Sequence, residues 1–344
     1  MCRQNETMGS TSRTDSDAQN QLPNLAALAA ESDPGEVMES HADAVAAALS
    51  RATTGDHEVT WLQAQSCTGC TMSVLQAEFS DMEQTISEFR EGVSFHPTLN
   101  TIGGARALEH LSASPDILIV EGSIPTAIPR AATLGHDEHG QPRPLLDWVV
   151  DMAENAEYIV AIGSCSSYGG LPAAQAGEDP ERKGHGPTGA KGLQFTGQER
   201  GGVFGPEFET ESGTPVINIP GCPVHPDHFL LTVATLLNGH EPELDDEGRP
   251  MPFFEPNVHA TCPLFDEFAD GEMAEHPGDD GCLAEVGCAG FYTSCDDSRR
   301  LRNDGTSICR TAGAPCIGCV EPDFWDRFSP FYEEGDSRGE IWDD

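Results

Sequence analysis

Short apolar runs alternate with amphipathic segments from about residue 57 onward. The runs are rich in β-branched residues and bounded by turn residues, which is typical of buried strands. Strands are predicted at EVTWLQA (58–64), DILIVEGSI (116–124), EYIVAIGSC (157–165) and TPVINIPGC (214–222). Helices are predicted at MSVLQAEFSDMEQTISEF (72–89), PLLDWVVDMAENA (144–156) and HPDHFLLTVATLLNG (225–239). Strands that alternate with helices predict an α/β fold with a doubly wound parallel sheet.

The rest of the chain divides into an extension before this region and a second domain after it. Residues 1–55 are polar and acidic, and we expect a largely disordered extension with one or two short helices. Residues 56–245 form the α/β domain, interrupted by a Gly-rich stretch at 177–205 that predicts a long loop. Residues 246–344 contain seven cysteines and little continuous apolar pattern, so metal centres are expected to stabilise this domain.

The charge of the chain excludes several classes of partner. It has 58 acidic and 18 basic residues, for a net charge of −40. Such a field repels nucleic acid and anionic lipid. Because concentrated salt screens self-repulsion, we predict a halophilic protein; an acidic surface for a basic partner is the less favoured alternative. The sequence has no long apolar run and no export signal, so we expect a soluble, cytoplasmic protein without a membrane span.

Twelve cysteines raise the question of disulfides, structural zinc or iron–sulfur clusters. Disulfides need an oxidising compartment and are disfavoured without an export signal. Cys67 and Cys70 follow a predicted strand, and Cys165 and Cys222 end two others. Because strand carboxyl ends meet at one edge of a parallel sheet, these four thiolates are expected to converge there. Four thiolates suit zinc and a [4Fe–4S] cluster equally well.

The C-terminal cysteines favour clusters over zinc. His259, Cys262, Cys282 and Cys288 supply a second group of four ligands, and Cys295, Cys309, Cys316 and Cys319 supply a third. Only Cys2 is left over. Three iron–sulfur clusters would form a path for electrons, whereas three zinc ions in one chain have no comparable purpose. A zinc-stabilised scaffold or binding module without a redox role remains the alternative.

Several segments together resemble one known family, the small electron-transferring subunit of [NiFe] hydrogenases. They are CTGCTMS, EGSIP, AIGSCSSYGG, INIPGCPVHPD, HATCPLFDEF, CLAEVGCAGFYTSC and APCIGCVEPDFWDRFSPFY, in the family's order over roughly residues 60–332. The resemblance implies a flavodoxin-like domain with a proximal [4Fe–4S] cluster on the proximal set (Cys67, Cys70, Cys165, Cys222). It implies a medial cluster on the medial set (Cys295, Cys309, Cys316, Cys319) and a distal [4Fe–4S] cluster on the distal set (His259, Cys262, Cys282, Cys288).

The resemblance also implies a partner and a reaction. A separate large subunit would hold the Ni–Fe site that oxidises H2, and this chain would relay the electrons to an acceptor protein or a quinone module. Many members have proline where this chain has Cys309, and their medial cluster is [3Fe–4S]; here we expect [4Fe–4S]. A cluster subunit of a complex-I-type quinone reductase is a second alternative, but it lacks a counterpart of residues 259–319.

Overall fold

The computed structural model describes residues 45, 46, 48, 57–77, 92–111, 113–174, 186–303, 305–322, 324–328 and 331. The predicted disorder of the N-terminus, Cys2 and residues 78–89 of the first predicted helix lie outside these residues. The structure therefore addresses the α/β region and the cysteine-rich segment that follows it.

The strands in the described residues are short, and the longest helix has 12 residues. The strands are β1 (Val59–Gln63), β2 (Val93–Phe95), β3 (Ile117–Glu121), β4 (Ile124–Pro125), β5 (Thr133–His136), β6 (Pro142–Pro144), β7 (Tyr158–Ile162), β8 (Ala190–Lys191), β9 (Phe195–Thr196), β10 (Glu199–Arg200) and β11 (Ile217–Ile219). The helices are α1 (Gly69–Val74), α2 (Ala105–Leu108), α3 (Leu145–Ala153), α4 (Ser164–Tyr168), α5 (Pro226–Leu237), α6 (Met251–Phe254), α7 (Phe265–Asp270), α8 (Asp297–Arg300) and α9 (Phe324–Arg327).

A parallel five-stranded sheet lies at the centre, in the order β11-β7-β3-β1-β2. Ile119 of β3 pairs with Trp61 of β1 on one side and with Val160 of β7 on the other. The predicted α/β class, its parallel sheet and the four predicted strands are confirmed. The strand β2 was not predicted, because three residues are too few to show an alternating pattern.

Both faces of the sheet are buried, which explains why its strands are apolar without alternation. On one face, Trp61, Ile119 and Val160 belong to a core that includes helix α5, all of whose residues are buried. On the other face, the core contains Leu118 and Ile159 together with the apolar side of helix α3. The sheet is thus a rigid platform whose carboxyl edge positions the loops that follow it.

The stretch at 177–205 was predicted as a long loop, and that prediction is wrong for the described part. Residues 190–191 pair with β4, and β9 and β10 form an antiparallel hairpin. Its two-residue turn begins at Gly197, whose φ of 55° suits a glycine. Leu193 and Phe195 are buried. The frequent glycines lie in tight turns between short strands. Strands this short show no periodic pattern in the sequence, so they cannot be distinguished from a loop.

The segment after residue 250 contains short helices and, among its described residues, isolated β-bridges but no strand. Phe324, Trp325 and Phe328 pack with Tyr168 and Phe195 in a core shared with the α/β region. The buried Arg249 donates to Asp245 at 2.7 Å and lies 3.5 Å from Glu321, which links the residues at the predicted domain boundary to the end of the cysteine-rich segment. The division into domains at residue 245 stays a prediction. No helix within the described ranges is long and apolar enough to cross a bilayer.

The central strand tests the packing of the sheet. Ile119 is 1% exposed, and Ile119→Ala should lower the free energy of unfolding by about 2–5 kcal/mol, since it leaves a cavity between sheet and helix. Ile128 is 52% exposed, so Ile128→Ala should change it by less than about 0.5 kcal/mol. Anaerobic urea unfolding measures both, and equal losses in the two variants would contradict the assigned core.

Candidate metal centres

The proximal set is assembled by three loops at the carboxyl edge of the sheet. Cys67 and Cys70 follow β1, Cys165 lies in the first turn of α4 after β7, and Cys222 lies three residues beyond β11. Gly163 enters α4 with a φ of 83°, and Gly221 precedes Cys222 with a φ of 144°. These conformations let the chain leave the sheet sharply and turn each cysteine toward the same edge.

Glycines also make room for the sulfur atoms. A Cβ atom added at Gly163 would lie 2.4 Å from Sγ of Cys70, and one added at Gly170 would lie 2.5 Å from Sγ of Cys165. No side chain is tolerated at such distances. The two glycines therefore form part of the cradle around the proximal thiols.

Three of the proximal thiols, those of Cys70, Cys165 and Cys222, resist ionisation in the protein alone. Burial, and then the neighbouring Cys222 and Cys67, raise the pKa of Cys165 to about 12. Burial, followed by Glu121 and then Cys165 and Cys222, raises the pKa of Cys70 well above its usual value. The four thiols are thus close enough to repel one another as thiolates. A core of iron ions would supply the positive charge that such a donor set lacks, and the donors fit it.

The distal set lines one small cavity. His259, Cys262, Cys282 and Cys288 all border it. The imidazole of His259 stacks on Phe291 with ring centres 3.9 Å apart and meets Phe268 edge-on at 4.6 Å. Burial lowers the pKa of His259, so its ring is neutral and can offer a nitrogen lone pair. The structure thus brings the four residues of the distal set together around one cavity.

The medial set lies between the other two. Burial dominates the raised pKa of Cys319, and Cys309 and Cys222 contribute, which places Cys319 near both. Cys319 is likewise a neighbour of Cys295 and Cys316. The thiol of Cys316 is in turn close to Cys288 of the distal set. The three sets are therefore contiguous in the order proximal, medial, distal.

Backbone N–H groups point at many of these sulfur atoms. Val224 donates to Cys70, Ala284 to Cys282 and Gly290 to Cys288. The N–H of Gly318 lies 3.4 Å from Sγ of Cys316. All eleven cysteines among the described residues are free thiols. No three His, Cys, Asp or Glu side chains in that part of the chain converge at the distances that a single metal ion requires.

A buried carboxylate adjoins the proximal set. Glu121 ends β3, and its Oε1 accepts from Ser66 Oγ at 2.8 Å. Its Oε2 accepts from Gln63 at 3.0 Å, from Trp61 at 3.2 Å and from the hydroxyl of Thr71. Five donors in all, including the N–H of Thr71, satisfy this carboxylate. It therefore fixes the loop that presents Cys67 and Cys70.

His96, which follows β2 directly, extends this hydrogen-bond network. The sequence patterns did not predict a role for this residue. Its Nδ1 accepts from the N–H groups of Thr98 and Leu99, so the proton lies on Nε2, 3.4 Å from Oγ1 of Thr71. Burial lowers its pKa to about 4, although Glu121 acts in the opposite direction. A single histidine after a short strand looks the same in the sequence whether it is buried or exposed, so the sequence could not predict this site.

His225 and His228 follow Cys222 at a spacing that imitates a zinc motif. In the structure both imidazoles have hydrogen-bond partners within the chain. Nε2 of His225 lies 2.5 Å from the carbonyl oxygen of Leu301. Nε2 of His228 lies 2.6 Å from Oδ1 of Asp296. Their rings stack with centres 4.8 Å apart. The two histidines hold the α/β region against the cysteine-rich segment.

Two arginines close to the thiols were also missed. Arg302 donates to the carbonyl groups of Val224 and Pro223, and its charge acts on Cys222 and Cys319. Arg310 borders the distal cavity. The chain has only 18 basic residues, and four of them are arginines between positions 299 and 310. This local concentration of positive charge could have indicated arginines near the thiols.

The fold and the thiol arrangement define a class: an α/β protein whose sheet edge and cysteine-rich tail gather sulfur donors in contiguous sets. Comparison with known sequences narrows that class. Residues 67–236 match the family profile of the NADH ubiquinone oxidoreductase 20 kDa subunit. Residues 254–332 match the C-terminal profile of the NiFe/NiFeSe hydrogenase small subunit.

Individual relatives cover most of the chain. It is 36% identical over 293 residues to the periplasmic [NiFeSe] hydrogenase small subunit of Desulfomicrobium baculatum. This alignment covers 80% of this chain and 86% of that protein. The chain is 33% identical over 311 residues to the F420 non-reducing hydrogenase II small subunit of Methanosarcina mazei, spanning 82% and 76%.

Solved structures agree with these relatives. The [NiFeSe] hydrogenase of Desulfomicrobium baculatum matches with a TM-score of 0.68 over 81% of this chain and 99% of that chain, at 36% identity. The actinobacterial-type NiFe-hydrogenase of Ralstonia eutropha H16 matches with a TM-score of 0.70 over 83% and 85%, at 28% identity. The chain belongs to the family of NiFe and NiFeSe hydrogenase small subunits. This membership decides against a complex-I-type quinone reductase subunit.

The buried His96 predicts a pH dependence of stability. Its pKa is about 4 when folded and 6.5 in the unfolded chain, so the unfolded chain binds more protons between these values. Stability should therefore fall as the pH drops through this window, by up to about 3 kcal/mol from this residue. In His96→Gln the dependence between pH 6.5 and 4 should be shallower.

Unfolding of both proteins in urea at a series of pH values measures the difference. His139 is exposed, and His139→Gln serves as the control with an unchanged slope. A slope in His96→Gln as steep as in the parent protein would show that His96 titrates normally.

Proposed function

We propose that this chain is the electron-transferring small subunit of a soluble [NiFe] hydrogenase and holds three iron–sulfur clusters. The contact between the sets supports the proposal best: Cys222 adjoins Cys319, and Cys316 adjoins Cys288. Electrons from H2 oxidation in the large subunit would pass outward along this order to an acceptor protein or quinone module. As a relay subunit, the chain would contribute no residue to the splitting of H2.

The strand order supports a flavodoxin-like description of the first domain. Taken in chain order, the five central strands have the spatial order 2-1-3-4-5, which is that of flavodoxin-like sheets. Such folds bind ligands outside the carboxyl ends of the strands, at the point where the order reverses. In this chain that point lies between β1 and β3, beside Cys67, Cys70 and Glu121.

In this proposal each of the three sets holds one cluster. The proximal set would hold a [4Fe–4S] cluster on Cys67, Cys70, Cys165 and Cys222. The distal set would hold a second through three thiolates and His259, and the medial set a third through Cys295, Cys309, Cys316 and Cys319. When bound, the clusters would supply sites that accept and release one electron. The chain supplies the thiolates, the backbone donors to sulfur and the apolar walls that limit water.

Metal analysis of the anaerobically purified complex tests this function. We expect about twelve irons from the three four-iron clusters of this chain and about one more from the Ni–Fe site of the large subunit, with broad visible absorption. We also expect a nickel-containing subunit to co-purify with this chain. Colourless protein with stoichiometric zinc would favour the zinc-stabilised scaffold or binding module and reject the proposal.

Cys309 decides the type of the medial cluster. In Cys309→Ala the medial set keeps three thiols, so we expect about eleven irons in the clusters of this chain and the EPR signal of an oxidised three-iron centre. Cys2→Ser changes a cysteine outside the three sets and should leave about twelve irons in these clusters. A three-iron signal already present in the unaltered protein, and unaffected by anaerobic reconstitution with iron, would show that Cys309 is not a ligand.

The compartment and the salt response stay predictions. The sequence predicts a cytoplasmic, halophilic protein, whereas the Desulfomicrobium baculatum relative is named as periplasmic. The net charge of −40 is the basis of the salt prediction. Because salt screens repulsion between exposed carboxylates, the complex should be more stable in concentrated potassium chloride than in dilute buffer.

A further inference from the structure

Arg310 is a buried cation at the junction of two thiol sets. It is 3% exposed and follows Cys309 of the medial set directly. Its side chain borders the distal cavity together with His259, Cys262 and Cys288. Its charge also acts on Cys316 of the medial set. One guanidinium group therefore faces sulfur atoms of both sets.

The guanidinium is held in place by acidic and hydroxyl partners on one side. Its Nη2 donates to Oδ1 of Asp297 at 3.0 Å and to Oγ of Ser298 at 2.7 Å, and its Nη1 lies 3.4 Å from Oδ2 of Asp297. Burial opposes its charge, but Asp297 and the thiols outweigh burial and raise the pKa of Arg310. The group is thus a permanent cation in a fixed orientation.

One donor of this guanidinium has no acceptor. The Nε atom of Arg310 is buried and makes no hydrogen bond. A buried N–H without an acceptor is costly and requires an explanation. The sulfur atoms of an iron–sulfur core between these thiols would be acceptors that the chain itself does not provide.

We propose that Arg310 is a positioning residue that sets the reduction potentials of the medial and distal clusters together, through its charge and its Nε–H donor. This inference rests on the proposed function. Reduction adds one electron to a cluster and makes it more negative, and an adjacent cation and N–H donor stabilise that state. No proton moves in this step, because the guanidinium is protonated throughout. Arg310 also offsets the additional negative charge that Cys309 brings to the medial set.

The test is an EPR-monitored redox titration of the iron-loaded heterodimer. In Arg310→Gln the medial and distal midpoints should both shift to more negative values. The expected loss is at least tenfold in electron affinity, about 59 mV for a one-electron couple. The proximal midpoint should not shift, since the charge of Arg310 acts on medial and distal thiols. Arg310→Lys keeps the charge but removes the Nε–H donor, so it should show a smaller shift in the same direction.

Arg299 offers a matched control, because it is exposed and Arg299→Gln changes the net charge by the same amount. Medial and distal midpoints in Arg310→Gln equal to those of Arg299→Gln, at full iron content, would overturn the inference. If Arg310→Gln loses iron, Asp297→Asn carries the test. The carboxylate of Asp297 also acts directly on Cys295 of the medial set, so the distal midpoint is the readout. It should rise because the guanidinium charge is freed, and an unshifted distal midpoint would overturn the inference.

These results separate the inference from the proposed function. Unaltered protein without iron would reject the proposed function before any arginine variant is examined. If the protein is loaded with iron but its medial and distal midpoint potentials do not change when Arg310 is replaced, only the role of Arg310 is rejected. Activity with H2 is not needed for either result, since the midpoints are read directly from the cluster signals.

Discussion

Repulsion between crowded, buried thiolates is the constraint on which the rest of this structure depends. Burial, and then Cys222 and Cys67, raises the pKa of Cys165 to about 12. Burial is also the main cause of the raised pKa of Cys70, followed by Glu121, and of the raised pKa of Cys316, followed by Cys288. The chain counters this repulsion with backbone N–H groups directed at sulfur and with Arg302 and Arg310. These donors only moderate the repulsion. The proposed iron–sulfur cores would supply the positive charge that these donor sets lack.

Direct contacts join the α/β region and the cysteine-rich segment into one unit. A hydroxyl group at Ser164 accepts from the N–H of Gly221 at 2.9 Å and donates to the carbonyl oxygen of Cys319, so the proximal loops and the medial loop share one hydrogen-bonded link. The aromatic core around Phe324 and the ion pairs of Arg249 add apolar and polar contacts across the same junction. Rigid attachment matters because electron transfer requires fixed distances between neighbouring centres.

Sequence patterns predicted the main strands and the helices α3 and α5, because buried apolar runs and amphipathic segments leave a clear periodic signal. They also predicted that Cys67, Cys70, Cys165 and Cys222 would meet at one edge of the sheet, since parallel strands present their carboxyl ends there. They missed β2 and the hairpin β9–β10, whose strands are two or three residues long. Such elements depend on pairing partners distant in the chain rather than on their own pattern.

The sequence by itself determined the fold class, the family and the choice of sulfur donors, because these follow from local periodicity, residue type and the order of short motifs. Only the tertiary structure decided what surrounds the donors. The acceptor role of Glu121, the lowered pKa of the buried His96 and the position of Arg310 beside the distal cavity each depend on residues far apart in the chain. Burial and charge act through space, and their effect on a side chain is fixed only when the whole chain has folded around it.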